Sequence, residues 1–590
     1  MTIPTAPPAI EAAELSWHNG VPESKNLGHA YFSPQKELKE FQREFIERNN
    51  LPTRFSSVPE AGSFVIAQAG LGTGLNFLAT WQAWQTWRPA HAATLHFVAS
   101  ERYPLTLQDL RKTLSMWPEL QELAKELIAN YPPLVCGTHR IVLAEGRVRL
   151  TLFFGDAHDA WSTLSFKADA WILNGFEPCI PPEAWQNHPV SEAGQHSKPD
   201  TSGAPAHSIA IIGAGIAGCL LANNLARRGY AVTLIDSANE PGSAASGNLQ
   251  GAMYVKLGVE FNHQTQLALS ALTFSQRYYA PYRDRLWHPT GLIQLAWSDA
   301  EQSRQRRFIE RNQYPEELLR PVTRREAEAL TGASLASGGL WFPGCGWLEP
   351  NKLCKSLALQ TGIKQIFAYM VNQVEPCNGK WRVSATAPHN SDIHVDQVVI
   401  CAGHLTPQLI PGTGTFRFKA IRGQVTYLPE PLIDNPRAVV CGARYLNPVH
   451  GPEDNRLAVI GATFDIHSNE PAATTESHRE NIAALSSMVP DIISESLATS
   501  DLPEQLAGRV GFRCTTHDYQ PVAGMFCDSQ GKEIEGLYLL TGMGSKGLTY
   551  APLLAEFVAD QLTGQPQALP TTLAKRLATG RMRQRKAETL

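Results

Sequence analysis

The chain has no excess charge of one sign, no cluster of cysteines and no long apolar run, and each absence removes a class of protein. Lysine plus arginine number 51 and aspartate plus glutamate 55 in 590 residues, a net charge of −4. That balance excludes a protein that grips nucleic acid through bulk positive charge, though not one with a local basic patch. The ten cysteines are scattered without a Cys-x-x-Cys pair, which excludes a disulfide scaffold and a zinc ribbon. No metal site is expected. Cys219 and Cys401 sit in apolar stretches, as small packed hydrophobes do. No apolar stretch reaches the ~20 residues of a membrane span. The N-terminus lacks the basic-then-apolar layout of a signal peptide, so the expected compartment is the cytoplasm. At 43% hydrophobic and 18% charged residues the chain has material for several cores.

The sharpest change of composition is SEAGQHSKPDTSGAPAH, residues 191–207, rich in Ser, Gly, Pro and Ala and followed at once by an intensely apolar stretch. It reads as a linker between a module at 1–190 and a second at 208–570. The segment 571–590 carries Lys575, Arg576, Arg581, Arg583, Arg585 and Lys586 against Glu588, and reads as a basic tail.

SIAIIGAGIAGCLLANNLARRGYAVTLID reads as strand, tight turn, helix and strand. Gly213 permits the turn, Gly215 lets a pyrophosphate approach the backbone, and Gly218 lets helix and strand pack closely. Asp236 closes the second strand, where a carboxylate accepts the 2′-hydroxyl of an adenosine ribose. An acid there, rather than an arginine, argues against NADP. ASGNLQGA, with Ser246, Gly247 and Gln250, is a second small-residue loop suited to passage over a cofactor. QVVICAG ends an apolar strand at Gly403. GLYLLTGMGSKGLTYAPLLAEFVADQL is a strand, a loop with Gly544, Ser545, Lys546 and Gly547, and a long amphipathic helix. That loop would bring backbone N–H groups, a helix N-terminus and an ammonium near a buried anion.

The first module opens in the same way. SFVIAQAGLGTGLNFLATWQAW is strand, loop and helix, with Gly70, Gly72 and Gly74 in the turn. Glu101 lies just past a second strand, where it would bind ribose hydroxyls. Asp156 follows a third strand, and a fourth ends at Asn174. Trp81, Trp84 and Trp87 are expected on one packed helical stripe.

Residues 208–565 resemble the FAD-dependent D-amino-acid oxidase and glycine oxidase superfamily. The most telling piece is GFRCTTHDYQPVAG, with Gly511, Arg513, Thr516, Asp518, Pro521 and Gly524 at the positions of that pattern and Cys514 where glycine oxidases usually carry proline. The resemblance implies that Arg513 grips a substrate carboxylate, as guanidinium geometry allows. AGLGTGLNFL, DAWILNGF, a linker, IIGAGIAGCLLA, ASGNLQGA and GMGSKGL in that order resemble the bifunctional tRNA 5-methylaminomethyl-2-thiouridine biosynthesis proteins. That implies an α/β fold: a Rossmann-like methyltransferase module, then an FAD-binding module with an inserted α+β substrate domain. It further implies FAD and S-adenosylmethionine as cofactors and tRNA as partner. The flavin module would remove a carboxymethyl group from the wobble uridine, and the first module would methylate the freed amine. Two departures point to a truncated, impaired methyltransferase. Asn174 and Gln68 stand where the family has acids, and too few residues separate the fourth strand from the linker to build the remaining strands. The alternative is an oxidase of glycine, a D-amino acid or another small amine, with residues 1–190 as a docking surface.

Overall fold

The computed structural model describes residues 9–18, 21–26, 29–30, 37–172, 208–386, 391–410, 416, 418–493, 501–528 and 530–582. Asn174, the 191–207 linker, Arg583, Arg585 and Lys586 lie outside them. No helix among the described residues is long and apolar enough to cross a membrane.

The first module is built on strands β1 (Ser63–Gln68), β2 (Thr94–Glu101), β3 (Gly137–Leu143), β4 (Val148–Phe154) and β5 (Ala170–Ile172). Their order is β3-β4-β2-β1-β5, all parallel except the β3–β4 pair. Helix α1 (Leu75–Trp87) follows β1 and α2 (Ala157–Thr163) follows β4. β2 is buried along its whole length, as a parallel strand covered on both faces should be. Trp81 and Trp84 are fully buried, but Trp87 is 49% exposed. The expected single stripe fails because six residues at ~100° each carry the helix ~240° round. β5 pairs with β1 alone and is the sheet edge among the described residues.

The second module holds two larger sheets. One contains β6 (Ile209–Ile212), β7 (Val232–Ile235), β8 (Gln397–Ile400), β9 (Val522–Cys527) and β10 (Glu533–Thr541), with α3 (Ile216–Arg227) after β6. β6 lies between β7 and β8, and all three are parallel. The inserted domain carries an eight-stranded sheet that ends in β11 (Lys419–Pro429) and β12 (Gly508–Thr515). Helix α4 (Gly547–Thr563) leaves the glycine loop after β10, and α5 (Thr571–Leu577) follows. The expectation of a basic tail from 571 needs correction. Leu573, Leu577 and Met582 are buried, and Arg581 pairs with Asp518 at 3.0 Å, so the chain stays docked as far as it is described.

The two modules meet across a buried ionic network. Arg140 on β3 reaches Asp560 at 3.0 Å and Arg149 on β4 reaches Glu556 at 2.6 Å. Arg228, just past α3, reaches Asp560 at 2.8 Å and Glu556 at 3.1 Å. All five side chains are at most 2% exposed. Burial opposes the Glu556 charge, but Arg149, Arg228 and Arg140 hold its carboxyl well below the usual range. Burial wins at Asp560 and raises it to about 6.

Candidate active site of the second module

The turn after β6 is shaped by contacts that only glycine tolerates. Gly213 has φ +109°, and a Cβ there would lie 2.6 Å from the Cys401 carbonyl oxygen. A Cβ on Gly218 would stand 1.9 Å from the Gly213 oxygen, so helix α3 can sit against the turn only without one. Asp236 holds the turn from the next strand, accepting from Ala214 N at 2.6 Å and from Ala238 N at 2.8 Å. Its carboxylate retains lone pairs for a further donor such as a ribose hydroxyl. Ser246 Oγ accepts from Ile216 N in the first turn of α3, and Gly215 faces the same oxygen. This cradle suits the diphosphate and ribose of a dinucleotide.

Two of the loop residues singled out in the sequence have structural duties. Gln250 is buried and donates to Pro448 O at 2.8 Å, while its oxygen accepts from Val459 N at 3.0 Å. It is a strut between loop and sheet, so its amide is spent on main chain rather than turned to a cofactor. Gly247 lies under Arg509, whose guanidinium stands 2.4 Å from where a Cβ would be. Arg509 donates to Ser243 O and Asn248 Oδ1 and pins the loop to β12.

Arg513 projects from β12. Its Nη1 donates to Thr463 O at 3.0 Å, and no carboxylate among the described residues is within ion-pair distance of it. β11 makes room: a Cβ on Gly423 would be 2.2 Å from that nitrogen. Burial lowers the Arg513 pKa, while the phenols of Tyr445 and Tyr254 oppose the shift from close by. Tyr254 is hydrogen bonded to Ser545. The glycine loop is tied to the same strand, for Gly544 N donates to Cys514 O at 2.8 Å. Gly544 has φ +57° and Gly403 φ +59°, and Gly547 opens α4. Lys546 also has no carboxylate partner among the described residues, and burial with the like charge of Lys256 lowers its pKa. An anion beside Arg513 would meet a guanidinium held in place by a backbone hydrogen bond.

A family profile described as FAD dependent oxidoreductase matches residues 208–561. Another, described as S-adenosyl-L-methionine-dependent methyltransferase, matches residues 118–212. The tRNA 5-methylaminomethyl-2-thiouridine biosynthesis bifunctional protein MnmC of Marinobacter nauticus is 46% identical over 628 aligned residues, covering 98% of this chain and 98% of the relative. The chain belongs to this family. The protein of the same description from Hahella chejuensis is 34% identical, covering 98% of this chain and 99% of its own. The glycine oxidase of Geobacillus kaustophilus shares the fold of the second module, with a TM-score of 0.52 and 21% identity over 63% of this chain and 98% of that one. The second module is thus an FAD-dependent oxidoreductase fold, joined to a methyltransferase-like module.

The family's first module keeps its glycine loop here. Gly70, Gly72 and Gly74 have φ of +79°, +57° and +77°. Glu101 accepts from Gly72 N at 2.7 Å and Tyr103 N at 3.0 Å, and burial raises its carboxyl to about 7. Asp156 caps α2 by accepting from His158 N and faces Arg102 at 3.7 Å. Gln68 folds its amide back onto Gly70 O at 2.6 Å. The sequence reading missed Tyr254, Tyr445, Thr463 and Arg509. Their only sequence signal was polar or aromatic residues beside glycines in otherwise apolar strands.

Proposed function

We propose that the second module oxidatively removes the carboxymethyl group of 5-carboxymethylaminomethyl-(2-thio)uridine in tRNA, leaving 5-aminomethyl-(2-thio)uridine. The observation that carries this reading is Arg513, a partly buried guanidinium with no carboxylate partner among the described residues and with Tyr445 and Tyr254 in its electrostatic surroundings. Such a group calls for an anion of fixed position, and the substrate's amino-acetate arm supplies a carboxylate. FAD would be held by Gly213, Gly215, Gly218, Asp236, Ser246, Gly247, Gly403, Gly544, Ser545 and Gly547, and when bound it supplies a two-electron oxidant. Arg513 fixes the carboxylate, and Tyr254 and Tyr445 close around it. The methylene between carboxylate and nitrogen then has one orientation, which is where most of the rate is gained. Lys546 adds positive charge beside the reacting centre. Loss of a hydride and a proton across the carbon–nitrogen bond gives an imine. Water adds to it and releases glyoxylate and the primary amine. The amine enters neutral, so no side chain is assigned as a base.

The methylation that follows in this family is, on this reading, impaired or lost. Two features support it: Gln68 stands where the resemblance implies an acid and spends its amide on Gly70 O, and the 628-residue alignment exceeds the 590 residues of this chain. The test is nucleoside mass spectrometry of tRNA carrying the carboxymethylaminomethyl group, incubated with the pure protein, oxygen and S-adenosylmethionine. Aminomethyl nucleoside should accumulate without a methylaminomethyl product. An untouched substrate would overturn the oxidase reading. Methylated product at enzymatic rates would overturn the second claim alone.

A further inference from the structure

Away from the Arg513 pocket, three segments distant in sequence bring His288, Glu349 and His450 together, with ligand atoms all within 4.8 Å of one another. His288 belongs to the short strand Trp287–His288, which pairs with Gly346–Leu348. Glu349 follows that second strand directly. His450 lies in the loop whose Pro448 carbonyl accepts from Gln250. The arrangement is held from outside. The His288 ring stacks on Trp347 at 3.9 Å and 12°, and Trp347 also meets the His450 ring at 4.9 Å. Lys352 pairs with Glu349 Oε2 at 2.5 Å, leaving Oε1 to face both imidazoles.

The distances are informative. Nε2 of His288 lies 3.5 Å and Nε2 of His450 3.3 Å from the same Glu349 Oε1. Both exceed the ~2.7–3.2 Å of an ordinary hydrogen bond from nitrogen to oxygen. His288 Nε2 is also buried without a hydrogen-bond partner. Two imidazoles crowd one carboxylate oxygen, both at the long end of hydrogen-bond reach. The spacing suits a coordination edge: bonds of ~2.0–2.1 Å at tetrahedral angles place ligand atoms ~3.3–3.4 Å apart.

We propose that His288, Glu349 and His450 bind one divalent transition-metal ion of the zinc type, through two imidazole Nε2 atoms and one carboxylate oxygen. Glu349 and His288 are largely shielded, with side chains 7% and 14% exposed, while His450 is 38% exposed. The ion therefore enters from the His450 side, and its fourth position faces solvent. Two imidazoles and one carboxylate suit zinc and its neighbours rather than magnesium or calcium, which prefer all-oxygen shells. The ion would staple the head of the helix Pro350–Ala358 to the loop that braces Gln250. Lys352 is a positioning residue that orients the carboxylate, as outer partners of metal ligands do.

The test uses the full-length, FAD-loaded protein, stripped with a chelator, desalted and titrated with zinc against a chromophoric chelator. One zinc per chain is expected. His450→Ala and Glu349→Gln should each weaken binding by more than about 100-fold, beyond the ~10–100-fold that loss of an outer partner costs. The ratio of FAD to protein reports whether each variant is folded, and the half-exposed His450 site decides if Glu349→Gln fails to fold. Zinc should also raise the unfolding temperature of the wild type and not of His450→Ala. The proposal is overturned if the wild type takes up no zinc at on the order of 10 μM, far above the dissociation constants of built zinc sites. It is equally overturned if His450→Ala binds zinc as the wild type does.

Discussion

Among the described residues Arg513 makes a single hydrogen bond, to Thr463 O, which leaves the rest of its planar fork for a ligand. Lysine in its place keeps the charge but cannot present two parallel donors to a carboxylate. Arg513→Lys should therefore lower kcat/KM for the carboxymethylaminomethyl nucleoside by ~10²-fold, the scale at which misplacing a reacting group is felt. FAD content, read from visible absorbance, should not change, and unaltered turnover would make Arg513 structural. Gly215 makes the complementary case. Its missing Cβ faces Ser246 Oγ at 3.3 Å, so Gly215→Leu should fill the cradle and yield protein without flavin colour. These two positions can be singled out in the sequence because the reasons for them are local: a turn needs glycine, and the arginine sits inside a recognisable run. Tyr254 and Tyr445 were not legible. They reach Arg513 from separate segments, and no local pattern states which residues of one strand face which of another. The direction of the Gln250 side chain was not legible for a related reason. A loop of small residues signals close approach but not the direction of its one long side chain, which points into the sheet.

Helix α4 reads in sequence as amphipathic, yet every residue from Thr549 to Asp560 is buried. It packs against α3 and the helix His263–Tyr279 of its own module, and Glu556 and Asp560, one turn apart, are the acids that meet Arg140, Arg149 and Arg228. Two acids four residues apart in an apolar helix were the available signal. The partners of Asp560 lie 332 and 420 residues away and those of Glu556 comparably far, so the pairing itself could not be read. Removing one member of such a network leaves buried charge uncompensated, at a cost of ~3–5 kcal/mol. Glu556→Ala should lose that much stability in denaturant unfolding, because Arg149, Arg228 and Asn224 all lose a partner. A loss below ~1 kcal/mol would show that the arginines find other acceptors or water. The strand–loop–helix units that open both modules were legible, but the sheet orders, including the antiparallel β3, were not. Nor was the docked α5, because a run of basic residues hides Leu573 and Leu577, which anchor it.

At the scale of the molecule, the junction between modules carries its own pH dependence. His139 on β3 is 4% exposed, bonds Val135 O through Nε2 at 2.8 Å, and burial together with Arg277 lowers its pKa to about 3. Unfolded, it titrates near ~6.5, so between those values the unfolded chain binds a proton that the folded chain refuses. The stability this histidine contributes is full above pH ~6.5 and falls by ~1.4 kcal/mol per pH unit below it. Asp560 at about 6 and Glu101 at about 7 act in the opposite sense, since their folded pKa values are raised and they gain on acidification. The clean measurement is therefore a difference: wild type minus His139→Gln, followed by unfolding at pH 7 and pH 5. The wild type should lose ground to the variant on acidification, and a constant difference would refute a buried neutral His139. The same junction governs whether the modules can live apart. Residues 1–190 alone would carry Arg140 and Arg149 without their acids. Unpaired charge on a surface built for burial favours aggregation over folding. Expressed alone, this fragment should be insoluble or lack cooperative unfolding, and co-expression with residues 208–590 should recover a soluble pair. A separate fragment that melts cooperatively at the temperature of the full chain would show that the ionic network joins two modules already stable on their own.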